Sequence, residues 1–143
     1  MKNVILTALV FATMLFGAAT QGWSASLVAR VDISSQTMTV VQNGRVIHRW
    51  KVSTARPGYW TPRGTWSPKR LHRMWYSRKY DMSPMPYSVF YHGGYAVHGT
   101  NHVKNLGRPA SHGCIRLQTG NAAKFYSLVQ RVGRGNTRIT VVN

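Results

Sequence analysis

The chain has 143 residues, a length that supports one domain with one hydrophobic core and leaves no room for a second. Nineteen lysines and arginines face two acidic residues, Asp32 and Asp81, which gives a formal net charge of +17. The electrostatic field of such a positive charge favours anionic partners and accelerates their encounter with the protein. The single cysteine, Cys114, excludes an internal disulfide.

Residues 1–25 have the layout of a secretory signal. Lys2 is followed by an apolar stretch over residues 4–19 and then by small and polar residues. The stretch is short for a membrane span of about 20 residues, which leaves an uncleaved anchor as the alternative. We therefore expect removal of residues 1–25 and one exported domain over residues 26–143, in the periplasm or cell envelope. Export argues against nucleic acid as the partner of this basic chain.

The exported part begins with strand signals. Residues 37–42 (TMTVVQ) and 45–52 (RVIHRWKV) flank Asn43-Gly44, a strong two-residue hairpin signal. A strand before this hairpin is predicted from the apolar residues Leu27, Val28, Val31 and Ile33.

The middle of the chain is rich in glycine, proline and aromatic residues. Residues 54–68 are predicted to form a loop with short strand pieces. Residues 87–91 and 95–98 are predicted as strands around a Gly93-Gly94 turn. Most of the aromatic side chains in this region are expected to pack in the core or against loops.

One helix is predicted near the C-terminus. Its apolar face consists of Phe125, Leu128, Val129 and Val132. Thr119 or Asn121 is the expected N-cap and Gly133 the terminator, with a last strand over residues 138–142. The chain is therefore expected to be a compact, mostly β domain with one helix near its end.

Cys114 lies in the segment SHGCIRL, residues 111–117, in surroundings that suit a nucleophile. A thiol with its ordinary pKa near 8.5 is only about 3% thiolate at pH 7, so a nucleophilic cysteine needs activation. His98 and His112 are candidate bases, and Arg116 adds positive charge. We expect these groups to lower the pKa of the Cys114 thiol.

Backbone groups near the cysteine complete a possible acyl-transfer site. The amides of Gly113 and Cys114 are candidate oxyanion donors, with the His112 amide as a third. Neither acidic residue lies near these motifs, so a backbone carbonyl must orient the base. Gly99 is placed to supply that carbonyl.

The pairing of HGT (98–100) with SHGCIRL (111–117) resembles the L,D-transpeptidase catalytic domain, or YkuD-like, family. The resemblance extends over nearly all of the exported part. It includes residues 31–55 as the opening hairpin, TPRGTW at residues 61–66, and residues 84–100 leading into the base. It implies a β-sandwich-like domain.

The resemblance also implies roles for individual residues. Cys114 would be the nucleophile and His98 the base. Gly113, His112, Ser111 and Gly99 would form the oxyanion hole and shape the site. Substrate contacts are expected from Arg116, Tyr87 and Asn101.

The implied activity is peptidoglycan remodelling with no cofactor. A thioacyl-enzyme would form on a tetrapeptide stem with release of the terminal D-Ala, and an amine would then resolve it. The amine of another stem would give a 3→3 cross-link, an envelope protein would become attached to the wall, and water would give carboxypeptidase activity. Carbapenems are the expected inhibitors.

Three other interpretations of the sequence remain. A non-enzymatic basic module could bind anionic envelope polymers. Cys114 could be a buried structural residue, as free thiols often are. A zinc site could form from His98, His102, His112 and Cys114, although their spacing matches no standard structural zinc pattern.

Overall fold

The computed structural model describes residues 25–143, so the predicted secretory signal lies outside the described residues apart from Ala25. Nine strands and one α-helix make up the domain. They are β1 (Leu27–Asp32), β2 (Thr37–Gln42), β3 (Arg45–Lys51), β4 (Gly64–Trp66), β5 (Arg70–Ser77), β6 (Ser83–His92), β7 (Tyr95–Thr100), β8 (Ile115–Gln118), α1 (Thr119–Val132) and β9 (Thr137–Val142). Short 3₁₀ turns occupy Val103–Asn105 and Arg134–Asn136. No helix in the described part of the chain is long and apolar enough to cross a membrane.

The strands form two sheets, which confirms the predicted mostly β, sandwich-like architecture with one helix near the C-terminus. The first sheet has the order β3-β2-β1-β9-β4, and the second has the order β5-β6-β7-β8. Most neighbouring strands are antiparallel, but β1 pairs with β9 and β7 pairs with β8 in parallel. Parallel neighbours need a crossover connection. Residues 101–114 are the crossover between β7 and β8, and the last four of them, residues 111–114, form the nucleophile loop, named for the candidate nucleophile Cys114.

One hydrophobic core joins both sheets and the helix. β1 and β2 contribute Leu27, Val31 and Met38, and β8 contributes Ile115 and Leu117, all fully buried. The helix contributes Phe125 and the other apolar residues that the sequence predicted, with Val132 at the margin of the core. This core fixes the position of β7 and β8 relative to the rest of the fold.

Several local predictions are confirmed and others are wrong. The β2–β3 hairpin turns at Asn43-Gly44 as expected, with Gln42 opposite Arg45. The helix N-cap is Gln118 rather than Thr119 or Asn121, because β8 runs into the helix without a linker and Thr119 is already helical.

β5 was not predicted from the sequence. Its residues RLHRMWYS mix charged and aromatic side chains and lack the polar–aliphatic alternation of a half-buried strand. Pairing with β6 stabilises it, and so does the packing of Trp75 against Phe90. The Arg70 guanidinium also lies 3.9 Å from the centre of the Phe90 ring. These are tertiary contacts that a local pattern does not contain.

Replacement of Phe125 by alanine is expected to lower the free energy of unfolding by about 3–5 kcal/mol, because a fully buried ring is lost and a cavity remains. Urea denaturation followed by circular dichroism measures the change. The neighbouring Lys124→Ala, an exposed position on the same helix, is the control and should change stability by less than about 0.5 kcal/mol. Similar losses in the two variants would contradict the assignment of Phe125 to the core.

Candidate active site

The parallel pairing of β7 and β8 brings His98 and Cys114 to one face of the second sheet. Val97 pairs with Ile115, and both side chains lie in the core. Because side chains alternate along a strand, His98 and its partner Arg116 project from the opposite face. Cys114, one residue before β8, lies on the same face as Arg116. This face forms the floor of a cleft of about 1240 Å³ that His98, Cys114 and Arg116 all line.

The structure holds the His98 imidazole in its neutral form. Its side chain is only 5% exposed, and Nδ1 lies 2.7 Å from the carbonyl oxygen of Gly99. A carbonyl can only accept, so Nδ1 carries the proton and donates it, which leaves Nε2 with a free lone pair. Burial lowers the pKa of His98 from 6.5 to about 4, and the charge of Arg116 adds to this effect. The imidazole is therefore unprotonated at neutral pH.

A close steric contact also requires glycine at position 99. A Cβ atom at this position would lie 2.9 Å from Cα of Thr119, the first residue of the helix. The start of the helix thus packs directly on the strand that carries the base. The residue that orients His98 through its carbonyl is also the one that lets the helix approach.

The Cys114 thiol does not have the lowered pKa expected from the sequence. The side chain is half-buried and packs beside Met85, Phe90 and Ala96. Burial raises the pKa of the thiol, and a backbone amide of Ala96 and the charge of Arg116 oppose this only in part. The resting pair is therefore a neutral thiol and a neutral imidazole, which is suited to proton transfer during attack.

Gly113 allows the tight turn before the cysteine. Its φ is +129°, and a Cβ there would lie 2.6 Å from both the Trp60 carbonyl oxygen and Cε1 of Tyr95. Any other residue would clash with the backbone on one side and with an aromatic ring on the other. The nucleophile loop therefore fits closely against the segment that carries Trp60.

Two buried hydroxyl groups hold this loop. Ser111 Oγ accepts a hydrogen bond from the Gly113 amide at 3.0 Å and donates to the Cys114 carbonyl at 2.6 Å. Thr61 Oγ1 donates to the Gly113 carbonyl at 2.9 Å. The Gly113 amide, expected to be an oxyanion donor, is thus already committed to Ser111. The amides of His112 and Cys114 have no protein acceptor among the described residues and are the donors that this geometry leaves for an oxyanion.

His112 is placed differently from His98. Its ring stacks on Tyr80, with centroids 4.1 Å apart, and meets the edge of Tyr59 at 4.7 Å. Burial together with Arg56, Arg116 and Lys79 lowers the pKa of His112. This stack connects the β5–β6 turn, which carries Tyr80, to the nucleophile loop.

The expected substrate residues are only partly brought together. Arg116 and Asn101 line the cleft. Tyr87 is not among the residues that line it, and its expected contact with substrate stays a prediction. It has a φ of +54°, and its ring packs edge-on against Tyr126 of the helix at 5.7 Å.

Sequence reasoning missed the composition of the cleft walls. Aromatic residues that were assigned mostly to packing line it: Tyr59, Trp60, Trp75, Tyr80, Phe90 and Tyr95. Cations accompany them: Arg56, Arg70, Arg78, Lys79 and Arg116. In the sequence, the interleaving of basic and aromatic residues over residues 56–80 was the signal that could have predicted this lining.

The described residues contain no group of three histidine, cysteine or acidic side chains close enough to hold a metal ion. The four residues considered for zinc do not converge. The pair His98 and Cys114, supported by backbone groups, instead has the composition of a cysteine acyl-transfer site.

The chain belongs to the L,D-transpeptidase catalytic-domain (YkuD) family, whose profile matches residues 26–141. This result confirms the resemblance drawn from HGT and SHGCIRL. The curated proteins that were compared include no match.

Solved structures support the same assignment. An L,D-transpeptidase from Mycobacterium smegmatis is 27% identical with a TM-score of 0.75, over 83% of this chain and 59% of its own. One from Stackebrandtia nassauensis is 27% identical with a TM-score of 0.72, over 82% and 56%. An LD-transpeptidase in complex with imipenem is 27% identical with a TM-score of 0.73, over 82% and 59%. The chain thus spans about three fifths of the structures that it matches.

Stability is expected to fall as the pH is lowered from about 6.5 to about 4. In this window the unfolded chain protonates His98 and the folded protein does not, because burial holds the pKa of His98 at about 4. The loss should reach about 3 kcal/mol at the acidic end and be absent above pH 7. Urea denaturation at several pH values measures it.

His98→Asn should flatten this dependence, since asparagine does not titrate. His48 and His112, whose pKa values are also lowered by burial, remain in both proteins, so the difference isolates His98. The chain has only two carboxylates, which leaves little acid destabilisation from other groups. Equal slopes for the two proteins would contradict a buried neutral His98.

Proposed function

We propose that the protein is an exported peptidoglycan L,D-transpeptidase that acts through a Cys114 thioacyl-enzyme. The observation that carries this proposal is the placement of Cys114 and a buried, Nδ1-protonated His98 on one face of the cleft. Family membership over residues 26–141 supports the reaction class. The substrate and cellular location are inferred from the family and from the predicted signal at residues 1–25.

The first half-reaction begins with the neutral pair. The Cys114 thiol gives its proton to Nε2 of His98 while sulfur attacks the carbonyl carbon of the third stem residue. The carbonyl π electrons move to oxygen, and the amides of Cys114 and His112 stabilise the charge. Collapse breaks the bond to the terminal D-Ala, whose amine takes the proton from His98. A thioester remains on Cys114.

The second half-reaction transfers the acyl group to an amine. The acceptor nitrogen attacks the thioester and loses a proton to His98, and the thiolate leaves and is reprotonated. A stem amine as acceptor gives a 3→3 cross-link, an envelope protein becomes attached to the wall, and water gives the carboxypeptidase reaction. His98 serves as base and then as acid in both halves. Its pKa lies far below neutrality, which is compatible with this role because His98 holds the transferred proton only transiently.

The cleft is suited to an anionic donor. Its cations have no carboxylate partner, since the one salt bridge of the described residues joins Arg30 and Asp32 elsewhere. Stem peptides carry free carboxylates that such cations attract. Carbapenems are anionic acylating agents, and the complex of a related transpeptidase with imipenem supports their binding here.

A non-enzymatic basic module explains the charge of the chain but not this site. Adhesion to an anionic polymer requires neither an oriented imidazole nor a glycine that fits within 2.6 Å of two neighbours. We therefore prefer the enzymatic function.

The wild-type protein is expected to release D-Ala from a purified tetrapeptide stem, and Cys114→Ala is expected to be inactive. His98→Ala should lower the rate of acylation by about 10²–10⁴, the usual contribution of a general base. His112→Ala should cost less, because His112 packs between two tyrosines and is not held by a backbone carbonyl. Mass spectrometry of the products and of the acyl-enzyme measures each step. A larger loss in His112→Ala would reverse the assignment of the base.

The ten basic residues between Arg45 and Lys79 include two groups that lie at different places in the fold. Arg70, Arg78 and Lys79 line the cleft. Arg45, Arg49 and Lys51 are exposed on β3, the edge strand of the other sheet, and none of them lines the cleft. We propose that the β3 set binds the anionic wall and the cleft set binds the donor.

Two matched triple variants test this division. The variant with Arg45, Arg49 and Lys51 changed to Gln should pellet with isolated sacculi about tenfold more weakly at low salt, if each exposed cation contributes about 0.5 kcal/mol. The same variant should keep kcat/KM on a soluble tetrapeptide. The variant with Arg70, Arg78 and Lys79 changed to Gln loses the same charge, and its KM for the tetrapeptide should rise instead. Equal effects of the two variants in both assays would contradict separate roles.

A further inference from the structure

Thr61 lies outside the HGT and SHGC motifs, yet it contacts the nucleophile loop directly. Its side chain is 2% exposed. Its hydroxyl donates to the Gly113 carbonyl at 2.9 Å and accepts from the Ala55 amide at 3.0 Å. Through one accepted and one donated hydrogen bond, this hydroxyl thus links the segment after β3 to the turn before Cys114.

The bond to the Gly113 carbonyl determines the direction of the Cys114 amide. The carbonyl of Gly113 and the N–H of Cys114 belong to the same peptide unit. The described chain contains no cis peptide, so the two groups point in opposite directions. Thr61 is buried and does not line the cleft, so a hydroxyl that holds the carbonyl there directs the Cys114 N–H away from this buried side.

The neighbouring peptide units are fixed by Ser111 and do not depend on Thr61. Ser111 Oγ accepts from the Gly113 amide and donates to the Cys114 carbonyl. Only the unit between Gly113 and Cys114 is oriented by Thr61. Its amide has no acceptor among the described residues.

We propose that Thr61 is a positioning residue that aims the Cys114 amide at the oxyanion. This inference rests on the proposed acyl-transfer function. During acylation, sulfur bonds to the carbonyl carbon, the π pair moves to oxygen, and the Cys114 N–H donates to that oxygen. Without the Thr61 hydroxyl the peptide unit can rotate, and the donor is lost when charge develops.

The test compares two reactions of the same thiol in the full chain. Acylation by imipenem passes through an oxyanion as the β-lactam C–N bond breaks and its nitrogen takes the proton from His98. Alkylation by iodoacetamide displaces iodide and forms no oxyanion. Thr61→Val should lower the single-turnover rate of acylation about 10- to 100-fold, below the full loss of an oxyanion donor. Its rate of alkylation should stay within about twofold of wild type, and Thr61→Ser should restore acylation.

Thr137→Val is the matched control. Thr137 is also fully buried, and its hydroxyl also donates to a glycine carbonyl, that of Gly133, at 2.9 Å, but neither residue lines the cleft. Thr137→Val should change neither the acylation rate nor the alkylation rate when both are measured well below the melting temperature of each variant. Thr61→Ala is the second variant if the valine methyl prevents folding.

Equal losses of acylation and alkylation in the Thr61 variants would show that Thr61 merely positions the thiol, and unchanged acylation would show that it has no role. Either result overturns the inference while leaving the proposed function intact. An absence of any imipenem adduct on the wild type would instead refute the proposed function, and the inference with it.

Discussion

The parallel register of β7 and β8 is the constraint on which the site depends. Pairing of Val97 with Ile115 buries both in the core, and the alternation of side chains then places His98, Arg116 and Cys114 together on the opposite face. A shift of one residue would turn His98 into the hydrophobic core and the core residues towards the cleft. The hydrophobic core therefore sets the catalytic geometry, and the crossover that joins the two strands contains the nucleophile loop.

Burial determines the protonation of the site. The same enclosure that holds His98 against Gly99 lowers the pKa of the imidazole and raises the pKa of the Cys114 thiol. Arg116 favours the thiolate but disfavours a protonated His98. A neutral resting pair follows, and in the proposed reaction oriented backbone amides stabilise the charge that forms during attack. This gives the hydrogen bonds of Ser111 and Thr61 their importance.

The scarcity of acidic residues shapes the rest of the surface. Cations elsewhere in proteins are often neutralised by neighbouring carboxylates, and here the cleft cations have none within the described residues. These cations contact aromatic rings instead. Arg56 lies 4.8 Å from the centre of the Tyr59 ring, and Lys79 lies 5.5 Å from the centre of the Tyr80 ring. The charges remain available to an anionic ligand. The cations of β3 lie on the other sheet and present a second positive surface.

Local sequence signals were sufficient for the β2–β3 hairpin, the apolar face of the helix and the pairing of Cys114 with His98, because turn chemistry, helical periodicity and a short motif are all encoded by residues near one another. The strand β5, the Gln118 cap, the direction of Tyr87 and the raised pKa of the thiol were decided by tertiary structure. Each depends on neighbours distant in sequence: β6 for β5, Tyr126 for Tyr87, and Met85, Phe90 and Ala96 for the thiol. The sequence alone singled out His98 and Cys114 as the candidate catalytic groups. Packing decided their protonation and which amide can meet an oxyanion, since desolvation and hydrogen bonding arise only when the two sheets enclose the site.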